Sequence, residues 1–256
     1  MKFDELEEKM RAYESARDPC ALPGTYLIAR IDGRGFTRLT KDVMNYERPF
    51  DERFRDHMIA TVEHLMACGF GPVYGYTQSD EISLLFSPER DLFGRNVRKW
   101  TSLLAAEASA AFSVRLGRPA AFDCRVIELP APGLVVDYFR WRSEDAHRNA
   151  LNAWCYWTLR AEGAGVAGAT GAIEGMPVDK KNELLFQRGI NFNNLPAWQR
   201  RGLGLLWETY DKPAVDRRTG EDVTARRRRL RTILELPMKD EYSRFVQTVL
   251  DSCESD

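Results

Sequence analysis

The first 130 residues alternate short apolar runs with longer amphipathic segments. Apolar runs of four to eight residues predict buried strands, and apolar residues repeating every three or four positions predict helices. After a first helix at 3–16, the order is strand, helix, strand, strand, helix, strand, at 25–31, 51–68, 73–78, 81–86, 95–116 and 122–129. This is the order of the ferredoxin-like βαββαβ fold. The sequence therefore predicts an α/β protein of the α+β kind, with an antiparallel sheet in a palm-like arrangement.

The second half predicts a mixed helical and strand extension. Its predicted elements are a helix at 135–162, a Gly/Ala loop at 163–171, a helix at 177–187 and a terminal hairpin or arm formed by 202–210 and 221–236. We therefore expect a palm-like domain at 1–133 and an extension at 134–256, packed together as one unit.

Two acidic residues lie where the predicted strands end. Asp32 closes the first strand and precedes Gly33, while Asp80 lies in the turn between the second and third strands, flanked by Ser79 and Glu81. Each motif alone is a common turn sequence. In this fold, however, the end of the first strand and the turn after the second strand lie at the same sheet edge. A buried carboxylate is costly there unless a cation neutralises its charge. The pair therefore predicts a Mg²⁺ site whose coordination substrate phosphates complete.

Glu81 follows Asp80 directly, so its side chain is expected to point away from that of Asp80. It is either a less direct metal ligand or a structural residue.

Several cations are candidates for phosphate binding. Arg95, Arg98 and Lys99 begin the second long helix, and cations one turn apart share a face. They are expected either to hold a triphosphate or to form an ordinary solvated face. Lys41 and Arg48 are weaker candidates. The basic block Arg226–Arg231 has the same two interpretations, phosphate binding or a solvated surface.

The composition indicates a cellular compartment but does not identify a binding partner. The 256 residues carry a net charge of −1 and five dispersed cysteines without a CxxC spacing, which predicts a reducing compartment and no structural zinc. The N-terminus is too charged for a signal peptide, and no apolar run approaches the roughly 20 residues that span a bilayer. We expect a cytoplasmic protein without membrane contact.

The segments Arg30–Phe36 and Tyr74–Ser83 resemble the tRNA(His) guanylyltransferase family. The resemblance extends over roughly residues 25–210, with further matches at 122–125, 141–149 and 181–186. It implies a polymerase that adds nucleotides to the 5′ end of tRNA, so that growth runs 3′ to 5′. It also implies GTP, ATP and possibly other NTPs as substrates, and a homotetramer.

The resemblance assigns roles to particular residues. Asp32, Asp80 and Glu81 would be catalytic, and Asp32, Asp80 and the Gly33 carbonyl would hold two Mg²⁺ ions. The nucleotide-binding residues would be Gly33, Arg34, Arg48, Asp51, Ser79, Arg95 and Lys99. The tRNA-binding residues would be Arg125, His147, Lys181, Asn182, Arg227 and Arg228.

Two departures bear on the choice of substrate. The eukaryotic-type enzymes carry His-Ile-Asn-Asn where this chain has His147-Arg148-Asn149-Ala150, and Asn96 replaces an arginine common in the phosphate helix. These differences favour the Thg1-like branch, which repairs truncated tRNA 5′ ends by copying the opposite strand. The alternative is addition of a single G to tRNA(His). More distant alternatives are a nucleotidyl cyclase and a catalytically silent RNA-binding module.

Overall fold

The computed structural model describes residues 2–215, 218 and 220–253. The strands are β1 (Tyr26–Gly33), β2 (Tyr74–Gln78), β3 (Glu81–Phe86), β4 (Phe122–Leu129), β5 (Leu203–Val215) and β6 (Asp222–Ile233). The helices are α1 (Phe3–Ser15), α2 (Phe36–Arg38), α3 (Glu52–Ala67), α4 (Val97–Leu116), α5 (Pro132–Ala161), α6 (Val166–Ile173), α7 (Val178–Phe186), α8 (Ala197–Arg201) and α9 (Lys239–Cys253).

The strands form one antiparallel sheet in the order β4-β1-β3-β2-β5-β6. Both β1 and β2 pair antiparallel with β3, so they run in the same direction and end at the same sheet edge. The predicted βαββαβ fold is confirmed, with strand ends within a residue or two of the predicted ones. The six-stranded sheet also shows that the second half contributes β5 and β6 beside β2.

Helices cover both faces of the sheet. Because side chains alternate along a strand, Leu27, Ala29 and Ile31 pack in a core with α3 and α4, whereas Tyr26 and Ile28 pack with α5 and α9. The sheet is therefore a buried layer, and its edges are where polar groups reach solvent.

The extension differs from the prediction in two places. The Gly/Ala stretch forms helix α6 rather than a loop, because its apolar residues pack beside α5 and bury Ala169. Helix α9 follows the hairpin, and its buried residues Tyr242, Val246, Val249 and Leu250 repeat at helical spacing. No helix among the described residues is both long and apolar enough to cross a bilayer.

Candidate active site

The sheet topology brings the two predicted acids together. Asp32 ends β1 directly opposite Glu81 of β3, and the backbone N–H of Gly33 donates to the Asp80 carbonyl at 3.1 Å. Asp32 and Asp80 line the same cleft beside α5. The predicted meeting of residues nearly fifty positions apart is therefore present at this edge.

The turn that carries Asp80 is tightly constrained. Ser79 has a positive φ of 54° in the two-residue connection between β2 and β3, and its hydroxyl donates to Asp80 Oδ1 at 3.0 Å. A Cβ on Gly33 would lie 2.9 Å from the Asp80 Cβ and 2.6 Å from the Phe36 ring. Glycine is therefore required at position 33 for the Ser79–Asp80 connection, called the acid turn below, to lie against β1.

The electrostatics of the acid pair favour a bound cation. Burial, together with the nearby charge of Asp32, raises the pKa of Asp80 to about 6. A divalent cation would offset both effects. Two carboxylates and the Gly33 carbonyl are hard oxygen donors of the kind Mg²⁺ prefers. Among the described residues no cluster of three or more His, Cys, Asp or Glu could hold a metal, so this donor set needs substrate or water oxygens to complete it.

Of the two roles left open for Glu81, the structure favours the structural one over the catalytic one that the resemblance implies. Arg142 of α5 donates to both its carboxylate oxygens, at 2.7 and 2.8 Å, and Arg30 of β1 lies 2.7 Å from Oε2. Arg142 also contacts Asp145 at 3.3 Å. Because two arginines already occupy the buried carboxylate, the geometry contradicts a direct catalytic role for Glu81. It holds the acid turn against α5 instead.

Two clefts meet at the acid turn. They share Pro49, Phe50, Gln78 and Ser79. One cleft contains both acids, and α5 supplies its wall with Arg142, Asn149 and three alanines. The other is rich in aromatic side chains, namely Tyr46, Phe50, Phe54 and Trp198. The reactive edge can thus be approached by one molecule from each side.

Asp51 lines the aromatic cleft and also caps α3. Its carboxylate accepts hydrogen bonds from the backbone N–H groups of Arg53 and Glu47, both at 2.7 Å, and from the Arg53 side chain. Burial opposes ionisation of Asp51, but these hydrogen bonds outweigh it and lower its pKa to about 2. The Asp51 carboxylate is therefore ionised but already occupied by Arg53 and by the backbone of this segment, with its side chain only 4% exposed.

Two predicted nucleotide-binding arginines lie near this edge. Arg34 is exposed directly after Gly33. Arg48 donates to the Lys41 carbonyl at 2.6 Å and stacks 4.4 Å from the Trp157 ring. Its guanidinium is therefore attached to α5, next to the loop that forms both clefts.

Arg95 and Lys99 do not lie beside the acids. Arg95 is 4% exposed, and its guanidinium donates to the Thr25 carbonyl and hydroxyl and to the carbonyls of Pro88 and Arg90. Thr25 precedes β1, so roughly 23 Å of strand separates it from Asp32. Lys99 is exposed at that far end, with its ammonium 5.3 Å from the Phe93 ring. The prediction that these two cations adjoin the metal edge of their own chain is wrong.

The predicted tRNA-binding residues are dispersed. Arg125 is exposed on β4, Lys181 and Asn182 lie on α7, and Arg227 and Arg228 are exposed on β6. They do not form one patch.

His147 is half-buried and packs against the extension. Its ring lies edge-on to Phe192 at 5.2 Å. Burial lowers its pKa, and the charges of Arg200, Arg201 and Lys239 lower it further. This position does not support its assignment to tRNA contact.

Sequence reasoning missed Arg30, Arg142 and Trp198. Arg30 had a signal, since a charged residue inside an otherwise apolar strand needs a buried partner. Arg142 had no such signal, because its partner Glu81 lies 61 positions away in the sequence. Trp198 had none either, because it contacts a distant segment, where the Arg55 guanidinium of α3 lies 4.8 Å from its ring.

Comparisons with known proteins identify the family of this chain. A family model described as tRNAHis guanylyltransferase matches residues 7–130, and one for the Thg1 C terminal domain matches residues 133–240. The tRNA(His) guanylyltransferase of Debaryomyces hansenii is 34% identical over 224 residues, which is 82% of each chain.

Solved structures show the same architecture. A bacterial tRNA(His) guanylyltransferase (Thg1)-like protein in complex with GTP matches with a TM-score of 0.76 and 26% identity, over 96% of this chain and 99% of that one. A bacterial Thg1-like protein in complex with ATP matches with a TM-score of 0.73 and 27% identity, over 95% and 98%. This chain therefore belongs to the Thg1 family of tRNA(His) guanylyltransferases, which are nucleotidyltransferases acting on tRNA.

Proposed function

We propose that this enzyme adds a guanosine nucleotide to the 5′ end of tRNA(His), at a site that binds two Mg²⁺ ions. The observation that carries the proposal is the meeting of Asp32, Asp80 and the Gly33 backbone between two clefts. Such an edge accepts a nucleotide from one side and an RNA end from the other. The names of the curated relatives favour G addition to tRNA(His) over general repair.

The proposed reaction has two steps. A tRNA 5′-monophosphate oxygen attacks the α-phosphate of ATP, which releases pyrophosphate and leaves an adenylylated 5′ end. The 3′-hydroxyl of GTP then attacks the activated phosphate, and AMP leaves. A 5′-triphosphorylated RNA needs no first step. The GTP and ATP complexes of the structural neighbours support both nucleotides as substrates.

The chain's own residues fit these requirements. Asp32, Asp80 and Gly33 would hold the two Mg²⁺ ions, which when bound lower the pKa of the attacking hydroxyl and stabilise charge on the phosphates. Arg34 and Ser79 adjoin the acids, and Arg48 lies in the loop between the clefts. The aromatic cleft has flat apolar walls that suit a nucleobase.

The second candidate function is template-dependent repair of truncated tRNA 5′ ends in the 3′-to-5′ direction. It is favoured by the Thg1-like structural neighbours and by the His147-Arg148-Asn149-Ala150 sequence, two residues of which line the acid cleft.

One assay decides between the two. The enzyme is given tRNA(His) and other tRNAs lacking their 5′ nucleotide, with ATP, Mg²⁺ and each of the four NTPs in turn. G addition restricted to tRNA(His) supports the first proposal. Addition that follows the opposite base in every tRNA supports repair, and no addition to any tRNA contradicts both.

We also propose a homotetramer in the cytoplasm. In an oligomer the exposed Lys99 of one copy could approach the acids of another, which its own chain does not allow. Light scattering on the purified protein tests the assembly, and a monomeric mass would contradict it.

A further inference from the structure

The β5–β6 hairpin extends beyond the rest of the sheet. Thr77 and Tyr74 of β2 pair with Leu203 and Leu206 of β5, and from Trp207 onward β5 pairs with β6 alone. We call the two-stranded part, Trp207–Val215 with 222–230, the arm. Thr77 lies next to the acid turn and pairs with Leu203 at the start of β5, so β5 runs away from the acids. The arm therefore extends from the end of the sheet opposite the acids.

The basic block divides between the two faces of the arm, because side chains alternate along a strand. Arg226 and Arg228 lie on one face, across from Asp211 and Thr209. Arg227, Arg229 and Arg231 lie on the other.

The two faces differ in the partners of their arginines. On the second face Glu208 pairs with Arg229 and lies 3.7 Å from Arg231. On the first face Arg228 stacks on the Trp207 ring at 4.9 Å. Asp211 is exposed and lies outside the groove described next. Charge alone does not separate the faces, because Glu208 offsets one of three arginines on the second face and Asp211 offsets one of two on the first. The first face is distinguished by its position, since it lines a groove against the body of the protein.

That face is one wall of a wide groove. The arm contributes Trp207, Thr209, Arg226 and Arg228, and the opposite walls come from the end of α3, the 69–73 turn and α9. Arg90 joins from the 87–90 turn, where its guanidinium is fixed by the carbonyls of Phe70, at 2.5 Å, and Gly69, at 2.6 Å. Among the residues that the structure describes, three arginines and no acidic side chain line this groove.

We propose that this groove binds the phosphate backbone of the tRNA, at a distance from its 5′ end. The proposal rests on the proposed function. Arginine is suited to phosphate contact, and an aromatic ring beside it provides an additional apolar surface for RNA. Six residues of β5 separate Leu203 from Thr209, so the groove is roughly 20 Å from the acid edge. An RNA with its 5′ end at the acids reaches the groove only through an extended duplex.

The alternation of the two faces provides a matched experiment. The double variant Arg226→Gln with Arg228→Gln removes two charges from the groove, and Arg227→Gln with Arg229→Gln removes two from the other face of the same strand. Affinity for labelled 5′-truncated tRNA is measured at several KCl concentrations. We expect the groove variant to bind roughly tenfold more weakly, with a log–log salt slope reduced by about 2, and the other variant to change little.

Nucleotide addition to a short RNA hairpin, whose duplex is too short to reach the groove, separates this proposal from the proposed function. Both variants should process the hairpin as the unchanged protein does, while the groove variant should show a raised KM on full-length tRNA. The conservative pair Arg226→Lys with Arg228→Lys should largely restore tRNA affinity, which excludes misfolding of the arm as the cause.

Three results would overturn the groove proposal. One is equal tRNA affinity in the groove variant and the unchanged protein, and another is an equal loss in both double variants. The third is a groove variant that has a smaller mass in light scattering than the unchanged protein but the same tRNA affinity. This result would assign the groove to contact with a second copy of the chain. Failure of the unchanged protein to extend either RNA would instead contradict the proposed function.

Discussion

At the scale of single residues, the site depends on what surrounds Asp80 as much as on Asp80 itself. Its carboxylate shares an edge with Asp32, while the next residue, Glu81, is held from behind by Arg142 and Arg30. Adjacent acids in the sequence thus have separate roles. Both line the cleft, but the Glu81 carboxylate is occupied by two arginines and anchors the turn.

Replacement of Asp80 by Asn should reduce nucleotide addition by about a hundredfold or more, because one of the two carboxylate ligands proposed for Mg²⁺ is lost. Thermal unfolding without Mg²⁺ should not shift downward, since the change removes a buried charge beside Asp32. The exposed Asp42→Asn is the control. Near-normal turnover in Asp80→Asn would remove the metal assignment.

Replacement of Arg142 by Gln should destabilise the fold by about 3 kcal/mol, because Glu81 would remain buried with Arg30 as its remaining arginine partner. It should also raise the Mg²⁺ concentration needed for half-maximal activity, since the acid turn is no longer held. The control is Arg140→Gln on the same helix, whose ion pairs are at the surface. Equal effects of the two variants would contradict the positioning role.

At the scale of elements, the end of β1 and the β2–β3 hairpin form the site because they approach each other without an intervening side chain. Gly33 makes this possible, with Phe36 behind it and Asp80 beside it. The hairpin itself requires a left-handed residue, and Ser79 adopts that conformation.

Replacement of Gly33 by Ala should therefore cost about 1–3 kcal/mol, through overpacking against Phe36 and displacement of the acid turn. Loss of activity should exceed what the change in stability explains. Gly133→Ala, where nothing lies within 4 Å of the added carbon, is the control, and chemical denaturation with parallel activity assays provides the measurement. A Gly33→Ala protein with full activity would show that the close approach is not needed.

At the scale of the whole molecule, Asp80 and Asp51 change stability in opposite directions with pH. The folded-state pKa of Asp80 is raised to about 6, so the folded protein binds a proton that the unfolded chain does not between that value and the ordinary 3.8. The folded-state pKa of Asp51 is lowered to about 2, so its contribution is present above 3.8 and lost as the pH falls toward 2.

Without Mg²⁺, the contribution of Asp80 to the free energy of unfolding should therefore rise as the pH is lowered from 7 to about 4.5, and that of Asp51 should fall below about 4. Urea denaturation across this range provides the measurement, compared with Asp80→Asn. The difference in the free energy of unfolding between the unchanged protein and Asp80→Asn should disappear near the lower end of the range from pH 7 to about 4.5. A difference that instead grows toward low pH would contradict the raised pKa of Asp80.

The sequence by itself determined the strands, the palm-like topology and the convergence of Asp32 with Asp80, because apolar periodicity and the order of elements are local properties and the fold then fixes which strand ends share an edge. It did not determine the packing of Ala169 in α6 or of Tyr242 in α9. Only the tertiary structure decided that Arg95 is buried at the far edge, that Glu81 belongs to Arg142, and that Arg226 and Arg227 face opposite ways. The reason is physical: a charged side chain takes its role from the partners that distant segments bring to it, and those contacts exist only once the helices have packed on the sheet.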